Sequence, residues 1–390
     1  MLDAFDVMLY ALVLGPIRTE FGLDSATAGW LQSLTLVASA AGGFVFGLAA
    51  DRWGRTRALI FSVLFYSIGT ALCGFAATAF QLAVFRIVLG LGMGGEWASG
   101  AALVTESWSE QDRGKALGFM QSSWAIGYAL AAIVNWLVQD VAGWGWRVVF
   151  LVGVAPALFT VWVRRHLQEP ASWKQARTQS ERVSLHYALA GPMRRITLAL
   201  TLMNACTMFA WWGLNTWVPS FLRGPREQGG IGIGNAAMNG FIVAMQVGMW
   251  LGYVSFGYIS DAVGRRRAYV GYLLIAAILV FAYSRCTVPM VLLVMGPFVA
   301  FFATGYFSGF GAVTAELYPT RIRATAQGLT YNIGRLASAA GPWVVGSLAE
   351  TRSYSMALSL TAATFALAAL FWFEIPETKG RYEASLSGKA

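Results

Sequence analysis

Five ionisable residues interrupt long apolar stretches of this sequence: Asp3, Asp6, Arg86, Glu96 and Arg335. An ionisable group deep in a bilayer costs at least about 2.5–3.5 kcal/mol, so each of them needs a partner or a function. A carboxylate that meets and then leaves an arginine can bind and release a proton. Both histidines lie together in one polar stretch. An aspartate or a glutamate is therefore the predicted proton carrier.

Two of these carboxylates are close in sequence. Asp3 and Asp6 are three residues apart, so on a helix they share one face, which Tyr10 extends by a turn. Glu96 follows a run of four glycines, and small residues of this kind favour close helix packing. Glu96 can belong to a proton path or bond a neighbouring helix, and the sequence leaves both open.

Arg335 is the ionisable residue that could bind an anion. It lies about ten residues into an apolar stretch, which places it about 15 Å along a helix and near the middle of a bilayer. Its planar guanidinium matches the two oxygens of a carboxylate. It either binds an anionic substrate or pairs permanently with an acid of the bundle. The C-terminal half offers no obvious buried acid, so substrate binding is the prediction.

The composition indicates a membrane protein. Of the 390 residues, 57% are apolar and 12% are charged, about half the charged fraction of a soluble domain. Mean hydropathy is +0.57, and apolar runs of roughly 20 residues are long enough to cross a bilayer core. These values exclude a soluble enzyme, a nucleic-acid-binding domain and a disordered chain. The net charge of +9 arises between the apolar runs, where basic residues orient membrane helices.

The predicted fold is an all-α membrane protein with twelve transmembrane helices in two pseudo-symmetric six-helix bundles. The apolar runs lie near 1–17, 28–49, 58–77, 79–103, 116–138, 147–165, 196–218, 236–259, 268–284, 289–314, 325–347 and 355–374. The N-terminal bundle therefore covers residues 1–165 and the C-terminal bundle residues 196–377. A polar linker, 166–195, joins them, and a tail follows at 378–390.

An internal repeat supports this division. GLAADRWGRTR begins at Gly47 and GYISDAVGRRR at Gly257, while ESWSEQDRGKALG begins at Glu106 and ELYPTRIRATAQG at Glu316. Both pairs are offset by 210 residues, which two unrelated motifs rarely share by chance. If the motif turns are cytoplasmic, most of the 28 basic residues lie on that side. Both termini are then cytoplasmic.

These motifs resemble the major facilitator superfamily, and the resemblance covers the whole chain. The turn G-x-x-x-D-R-x-G-R-x-R is its signature, and LAVFRIVLGLG around Arg86 resembles a fourth-helix motif of its proton-coupled members. LDAFD at Leu2, GMGGEW at Gly92 and GWGWRVVFLVG at Gly143 resemble the sialate, lactate and aromatic-acid proton symporters. The resemblance implies two bundles around a central cavity that work by alternating access.

The resemblance also implies roles for charged residues. Asp6 would carry the proton and Arg86 would tune it, with Asp3 and Glu96 as further proton-coupling candidates. The alternative is a static pair that holds the first helix against the fourth. The signature residues would form a charge latch that breaks on switching, or would only shape the turns and the topology. They are Asp51, Arg55, Glu106, Arg113, Asp261, Arg265, Glu316 and Arg323.

Polar and aromatic residues inside the spans are the candidate substrate contacts beside Arg335. They are Asn215, Asn332, Tyr331, Tyr128, Tyr10 and Trp212, with Trp211, Thr216 and Tyr306 as further candidates. Tryptophans of membrane proteins more often lie at the lipid interface, which is the alternative for the two on the seventh helix.

The predicted function is proton-coupled uptake of a small organic anion, such as a monocarboxylate, an aromatic acid or sialate, across the plasma or bacterial inner membrane. A sugar–proton symporter is the alternative. IPETKG at Ile375 favours it, but on the seventh helix only Asn215 fits the sugar pattern. A transporter-like nutrient sensor is a further alternative. We expect a monomer in the lipid bilayer, with no metal, cofactor or nucleic acid and no enzymatic constellation.

We also expect residues before Met1. The first apolar run, Leu2 to Ile17, spans about 24 Å, less than the roughly 30 Å bilayer core. Its partner in the repeat begins near Ile196, and the offset of 210 puts the matching start before Met1. The alternative is a short first helix with both aspartates hydrated at the surface.

Overall fold

The computed structural model describes residues 1–107, 113–155, 157–158, 160, 162, 193–318 and 320–378, and all regular structure within them is helical. The N-terminal half contains α1 (Leu2–Phe21), α2 (Ser25–Trp53), α3 (Arg55–Gly74), α4 (Ala79–Ser107), α5 (Arg113–Trp136, continued by a π-helical turn at Leu137–Val141) and α6 (Trp146–Val152). The predicted linker and tail lie almost wholly outside the described residues. The predicted domain boundaries therefore stay predictions.

The C-terminal half has two interrupted spans. It contains α7 (Met193–Arg223), α8 (Asn235–Val263), α9 (Arg265–Arg285), α10 (Pro289–Thr304), a 3-10 turn (Gly305–Gly309), α11 (Phe310–Leu317), α12 (Thr320–Ser338), α13 (Ala340–Thr351) and α14 (Tyr354–Leu370). α10 and α11 form the tenth span, and α12 and α13 form the eleventh. The eleventh breaks at Ala339 because Pro342 has no amide proton and its ring clashes with the carbonyl four residues earlier.

The helix bounds confirm the internal repeat. α2 and α8 both have 29 residues, and shifting the bounds of α2 by 210 gives those of α8. The starts of α3 and α9, and of α4 and α10, match at the same offset. After α2 and α8 the chain turns at Gly54 (φ 109°) and Gly264 (φ 103°). Residues with a Cβ atom rarely adopt this conformation. We call these two the motif turns.

Nine helical stretches in the described residues are long and apolar enough to cross a membrane. They correspond to the predicted spans two to five, seven to ten and twelve. The other three differ for identifiable reasons. α1 contains four charged residues, the sixth span is only partly described, and the eleventh is broken and contains Arg335.

Large apolar side chains are exposed on the outside of the bundle. Phe44, Phe80 and Phe373 are at least 70% exposed. Inside the bundle, polar groups bond to each other, as where Asn135 Nδ2 of α5 donates to Asn239 Oδ1 of α8 at 3.0 Å. A bilayer offers no hydrogen bonds to such groups, so the protein itself must satisfy them. This inside-out pattern of polarity is that of a membrane-embedded fold.

The two halves pack against each other at the end opposite the motif turns, which we call the packed end. α2 contacts α13 there, and α5 contacts α8. A Cβ atom on Gly29 would lie 2.3 Å from the carbonyl oxygen of Pro342, and one on Gly346 would lie 2.4 Å from that of Ser25. Atoms cannot approach so closely without a shift, so the glycines permit this contact between α2 and α13.

Polar bonds also join the halves at the packed end. Glu350 of α13 accepts a hydrogen bond from the backbone amide of Ser25 (2.8 Å) and lies 3.4 Å from Arg18. Arg18 donates a further bond to the hydroxyl of Tyr354 on α14 (3.1 Å). The hydrogen bonds from Ser25 lower the pKa of Glu350, which lies beyond the predicted eleventh span. The first helix is thereby connected to the last two spans.

Candidate functional site

A small cavity lies between the two halves. It is lined by Asp3, Met93, Gln121, Trp124, Met208, Trp211, Trp212, Tyr253, Phe307, Tyr331 and Arg335. These residues come from α1, α4 and α5 of one half, and from α7, α8, α12 and the 3-10 turn of the other. The cavity volume is about 50 Å³, far below the roughly 300–1,000 Å³ of ligand pockets. Side chains must therefore move apart before a ligand binds.

Opposite charges from the two halves face this cavity. Arg335 occupies the last turn of α12, beside the break at Ala339, and is 7% exposed. Its guanidinium forms no ion pair within the part of the chain that the structure describes. Asp3, also 7% exposed, interacts with it electrostatically. Its hydrogen bonds come from the N-terminal amine of Met1 (3.2 Å) and the backbone amide of Ala4 (2.8 Å).

Three tryptophans form one wall of the cavity. The ring centroid of Trp124 lies 5.6 Å from that of Trp211 and 6.1 Å from that of Trp212, and the last two are 4.9 Å apart, all edge to face. Phe307 lies 6.2 Å from Trp211. Trp211 and Trp212 are buried, so they do not lie at a lipid interface. Aromatic faces and edges of this kind suit a flat ligand.

Six of the residues that line the cavity are not indicated by the sequence patterns: Met93, Gln121, Trp124, Met208, Tyr253 and Phe307. Gln121 of α5 and Tyr253 of α8 both line it, so the two halves also meet there. The available signal is the stretch Q-S-S-W on the fifth helix, where polar groups and a tryptophan interrupt an apolar span. The contact predicted on this helix, Tyr128, lies one turn further along.

Arg86 does not pair with Asp6 in this structure. Its guanidinium donates to the carbonyl of Leu31 (3.2 Å) and to Oε1 of Gln32, and it lies 3.7 Å from the ring centroid of Tyr10. A static pair between Asp6 and Arg86, the alternative to their coupling role, is therefore absent among the described residues. Acceptors on α2 occupy the guanidinium instead, because α2 and α4 pack closely along their length.

Asp6 and Glu96 are the carboxylates left without partners. Asp6 is 1% exposed, and neither of its oxygens accepts a hydrogen bond from any described residue. Its polar neighbour Thr70 donates to the carbonyl of Tyr66 instead (2.9 Å). Oε2 of Glu96 is also buried, with no partner in the described part of the chain. Of the glycines before Glu96, three lie against neighbouring backbone and Gly95 lies against the side chain of Phe46, which supports their packing role.

Three predicted ligand contacts lie away from the cavity. The hydroxyl of Tyr10 donates to the carbonyl of Ala28 (2.9 Å), and its ring lies under the guanidinium on α4. The hydroxyl of Tyr128 donates to the backbone carbonyl of Asn215 (3.3 Å), so both lie where α5 meets α7. Asn215 follows the cavity residue Trp211 by one turn. That turn carries it toward the packed end, where the halves leave no space.

Asn332 also lies outside the cavity. It is exposed, and its amide donates to the carbonyl of Gly328 one turn earlier (2.9 Å). Tyr331 and Arg335 share a helix face because they are four residues apart, whereas Asn332 is rotated by about 100° from that face. Thr216 and Tyr306 are buried without lining the cavity. Of the predicted substrate contacts, the structure brings together Arg335, Tyr331, Trp211 and Trp212.

The signature residues of the C-terminal half form an ion-pair network at the motif turn. Arg265 of α9 lies 2.5 Å from Asp261 on α8 and 2.9 Å from Glu316 on α11. The described network therefore connects three helices of one half. The side chains of Asp51, Arg55, Glu106, Arg113 and Arg323 lie outside the described residues. The latch role stays a prediction.

Glu377 and Thr378 belong to this network and were missed. Glu377 accepts hydrogen bonds from the backbone amides of Arg265 (2.9 Å) and Arg266 (3.1 Å) at the start of α9. Thr378 donates to Glu316. A carboxylate at a helix N-terminus satisfies amides that the helix leaves free. Both residues belong to the stretch IPETKG, which by sequence alone indicates only a likeness to sugar transporters.

Comparison with known proteins agrees with this fold. The sequence matches the model of the Major Facilitator Superfamily over residues 1–253 and 228–389. It is 31% identical to the cis,cis-muconate transport protein of Acinetobacter baylyi, over 94% of this chain and 89% of that protein. It is 28% identical to the sialic acid transporter NanX of Escherichia coli, over 96% and 91%. A D-xylose-proton symporter has the same fold, with a TM-score of 0.78 at 18% identity over 97% and 96% of the two chains.

Proposed function

The chain belongs to the Major Facilitator Superfamily, and from that premise we propose that this membrane transporter takes up a small, flat organic anion together with protons. As a member of this family the protein is a transporter and not an enzyme. The observation that carries the proposal is Arg335, a buried cation in an aromatic cavity between the two halves, without an ion pair in the described part of the chain.

Arg335 supports an anionic substrate because no described carboxylate lies within ion-pair distance of its guanidinium. A cation at this depth costs at least about 2.5–3.5 kcal/mol, and a carboxylate offers two hydrogen bonds in the plane of the guanidinium. The tryptophan wall beside it supports a flat substrate. The two relatives named above transport muconate and sialic acid, and both of these are organic acids.

The proton is assigned to Asp6. A buried carboxyl group that accepts no hydrogen bond and has no ion pair among the described residues is most stable in its neutral form. Contact with Arg86 would favour the charged form, so a movement of α1 relative to α4 would release the proton. Asp3 and Glu96 face the same region and are further candidates in the proton path.

Transport requires the packed end to open in turn with the motif end. The cavity of about 50 Å³ cannot hold an organic anion, so the contacts between α2 and α13 must separate during the cycle. The motif-turn network would then stabilise the alternate state. We place the motif turns and both termini in the cytoplasm of a bacterial inner membrane, because basic residues flank those turns, and we assign function to the monomer.

Uptake into proteoliposomes tests the proposal. We expect an imposed gradient, acidic outside, to drive accumulation of at least one of labelled benzoate, cis,cis-muconate and sialic acid, and a protonophore to abolish it. Accumulation of D-xylose without any of these acids would contradict the proposal and favour the sugar alternative. Uptake of an organic acid that does not depend on the pH gradient would contradict proton coupling but not the choice of substrate.

A further inference from the structure

Two of the three cavity tryptophans have an unused hydrogen-bond donor. The indole nitrogens of Trp124 and Trp211 are buried and have no hydrogen-bond partner among the residues that the structure describes. The indole nitrogen of Trp212 does not belong to this set of buried nitrogens without a partner. Buried indole N–H groups usually find a partner. The function proposed above relies on the charge of Arg335 and on the rings of the tryptophans. It assigns no role to these two N–H groups.

Packing prevents these indoles from turning freely toward a partner of their own. Trp211 contacts three other rings, with centroids 5.6 Å away at Trp124, 4.9 Å at Trp212 and 6.2 Å at Phe307. Trp124 contacts both of the other tryptophans. A rotation that satisfied one nitrogen would disturb the whole group. The partner must therefore come from outside the described residues.

No described side chain that lines the cavity accepts a hydrogen bond from these two donors. Arg335 adds further N–H donors to the cavity. Oδ1 of Asp3 accepts from the N-terminal amine of Met1 and from the amide of Ala4, not from either indole. A ligand that places one carboxylate on Arg335 and a second acceptor near the indoles would satisfy all these groups at once.

We propose that Trp124 and Trp211 bind a second hydrogen-bond acceptor of the substrate, such as a ring nitrogen, a carbonyl, a hydroxyl oxygen or a second carboxylate. The inference rests on the function proposed above and narrows its substrate class. Flat carboxylates with a bare hydrocarbon ring bind more weakly, because they leave two buried donors unpaired. Trp124 belongs to the N-terminal half and Trp211 to the C-terminal half, so the second acceptor connects both halves.

Benzoate and its pyridine counterparts test this inference, because they differ almost only in one acceptor. Binding of benzoate, pyridine-3-carboxylate and pyridine-4-carboxylate to the purified full chain is measured by calorimetry. We expect at least one pyridine acid to bind about tenfold more tightly than benzoate. Trp124→Phe combined with Trp211→Phe should abolish this difference, and the ratio of the pyridine-acid and benzoate affinities within the variant is the readout. Trp212→Phe is the matched control and should keep the difference.

The outcomes separate this inference from the function on which it rests. Equal binding of benzoate and both pyridine acids overturns the role of the indoles but leaves the organic-anion function intact. If the double tryptophan variant still prefers a pyridine acid to benzoate, the role of the indoles is likewise overturned and the organic-anion function stands. If no carboxylate binds while D-xylose does, the proposed function fails and the inference fails with it. Because Trp→Phe keeps an aromatic ring, thermal unfolding of each variant verifies that it is folded.

Discussion

Arg335 and Asp6 are both buried ionisable side chains, and neither has a counterion within the described residues. They lie in different halves and differ in surroundings. Arg335 borders a cavity, so an external anion can reach it when the halves move apart. Asp6 does not line the cavity and is buried among packed helices, where only a proton can be exchanged without a large gap. Access to the cavity thus distinguishes the proposed role of Arg335, which is to bind the anion, from that of Asp6, which is to carry the proton.

Arg335→Lys should weaken binding of an organic anion by about ten- to a hundredfold. The substitution keeps the charge but loses the planar pair of donors, and a hydrogen bond to a charged group contributes roughly 1.5–3 kcal/mol. Calorimetry with the tightest-binding acid measures the effect. Arg285→Lys is the control, because Arg285 lies outside the cavity against Phe281. Equal loss in both variants, or no loss in Arg335→Lys, would make Arg335 a structural residue.

Asp6→Asn should abolish proton-driven accumulation but retain exchange of substrate across the membrane. Exchange needs binding and switching, whereas accumulation also needs a group that gains and loses a proton. Proteoliposomes with and without a pH gradient measure the two activities. Glu227→Gln, in an exposed loop, serves as the control and should leave both unchanged. Normal accumulation by Asp6→Asn would move the proton site to Asp3 or Glu96.

At the scale of helices, the two interrupted spans surround the cavity. The break at Ala339 follows Arg335, and the 3-10 turn after α10 contributes Phe307. Interrupted helices near the bilayer midplane are a common way to build transporter sites, because irregular backbone is tolerated where it lines a cavity. The uninterrupted α2 and α8 lie at the interface between halves and are suited to slide or separate as rigid bodies.

Gly29→Ala should loosen the packed end. The added Cβ atom would lie 2.3 Å from the carbonyl oxygen of Pro342, and overpacking of this kind costs about 1–3 kcal/mol. We expect spin labels at positions 19 and 351, in a cysteine-free version of the chain, to move further apart. Gly240→Ala is the control, because its Cβ atom would meet nothing within 4 Å. An unchanged distance in Gly29→Ala would mean that α2 and α13 adjust without separating.

At the scale of the whole molecule, the packed end is held by apolar contact and, among the described residues, by two carboxylates that join the halves. They are Glu350 and Asp140, which accepts a hydrogen bond from Asn235 (2.6 Å). Glu350 connects the C-terminal half to Arg18 and to the start of α2. Glu20 makes a comparable bond to Arg147 (2.7 Å), but both belong to the N-terminal half. The pKa of each glutamate is lowered, that of Glu20 by hydrogen bonds from Arg147 and Trp146. Of these two glutamates, Glu350 is the one whose bonds join the two halves.

Glu350→Gln should shift the molecule toward states in which the packed end is open, because a neutral amide accepts more weakly from Ser25 and does not attract Arg18. The same pair of spin labels measures the shift. Glu20→Gln is the matched control and should not change the distance. If both variants increase the distance between the labels equally, the increase results from a general loss of charge at this end and not from the bonds of Glu350.

The distance should also depend on pH in the unmodified chain. Because the pKa of Glu350 is lowered from its ordinary 4.5, its contribution to the packed end is complete above pH 4.5. It is lost as the pH falls through the lowered value. We expect a constant distance from pH 8 to 5 and a longer one in stronger acid, with a smaller acid response in Glu350→Gln. A response centred near neutral pH would exclude Glu350 as its cause.

The sequence by itself determined the family, the repeat and the set of buried charges. The likeness to organic-acid transporters is confirmed by the muconate and sialic acid relatives. Hydropathy and motif spacing are local properties, so spans such as α2 and α8 can be found without coordinates. The eleventh span was harder, because Pro342 divides it and Arg335 lowers its hydropathy.

Only the tertiary structure decided which residues share the cavity. Each residue turns a helix by about 100°, so Tyr331 lines the cavity while Asn332 does not. Helix rotation and depth are set by packing between spans, such as the contact of Gly29 with Pro342. That packing joins residues far apart in sequence, and for this reason the sequence could nominate Arg335 and Trp211 but could not place Trp124 beside them.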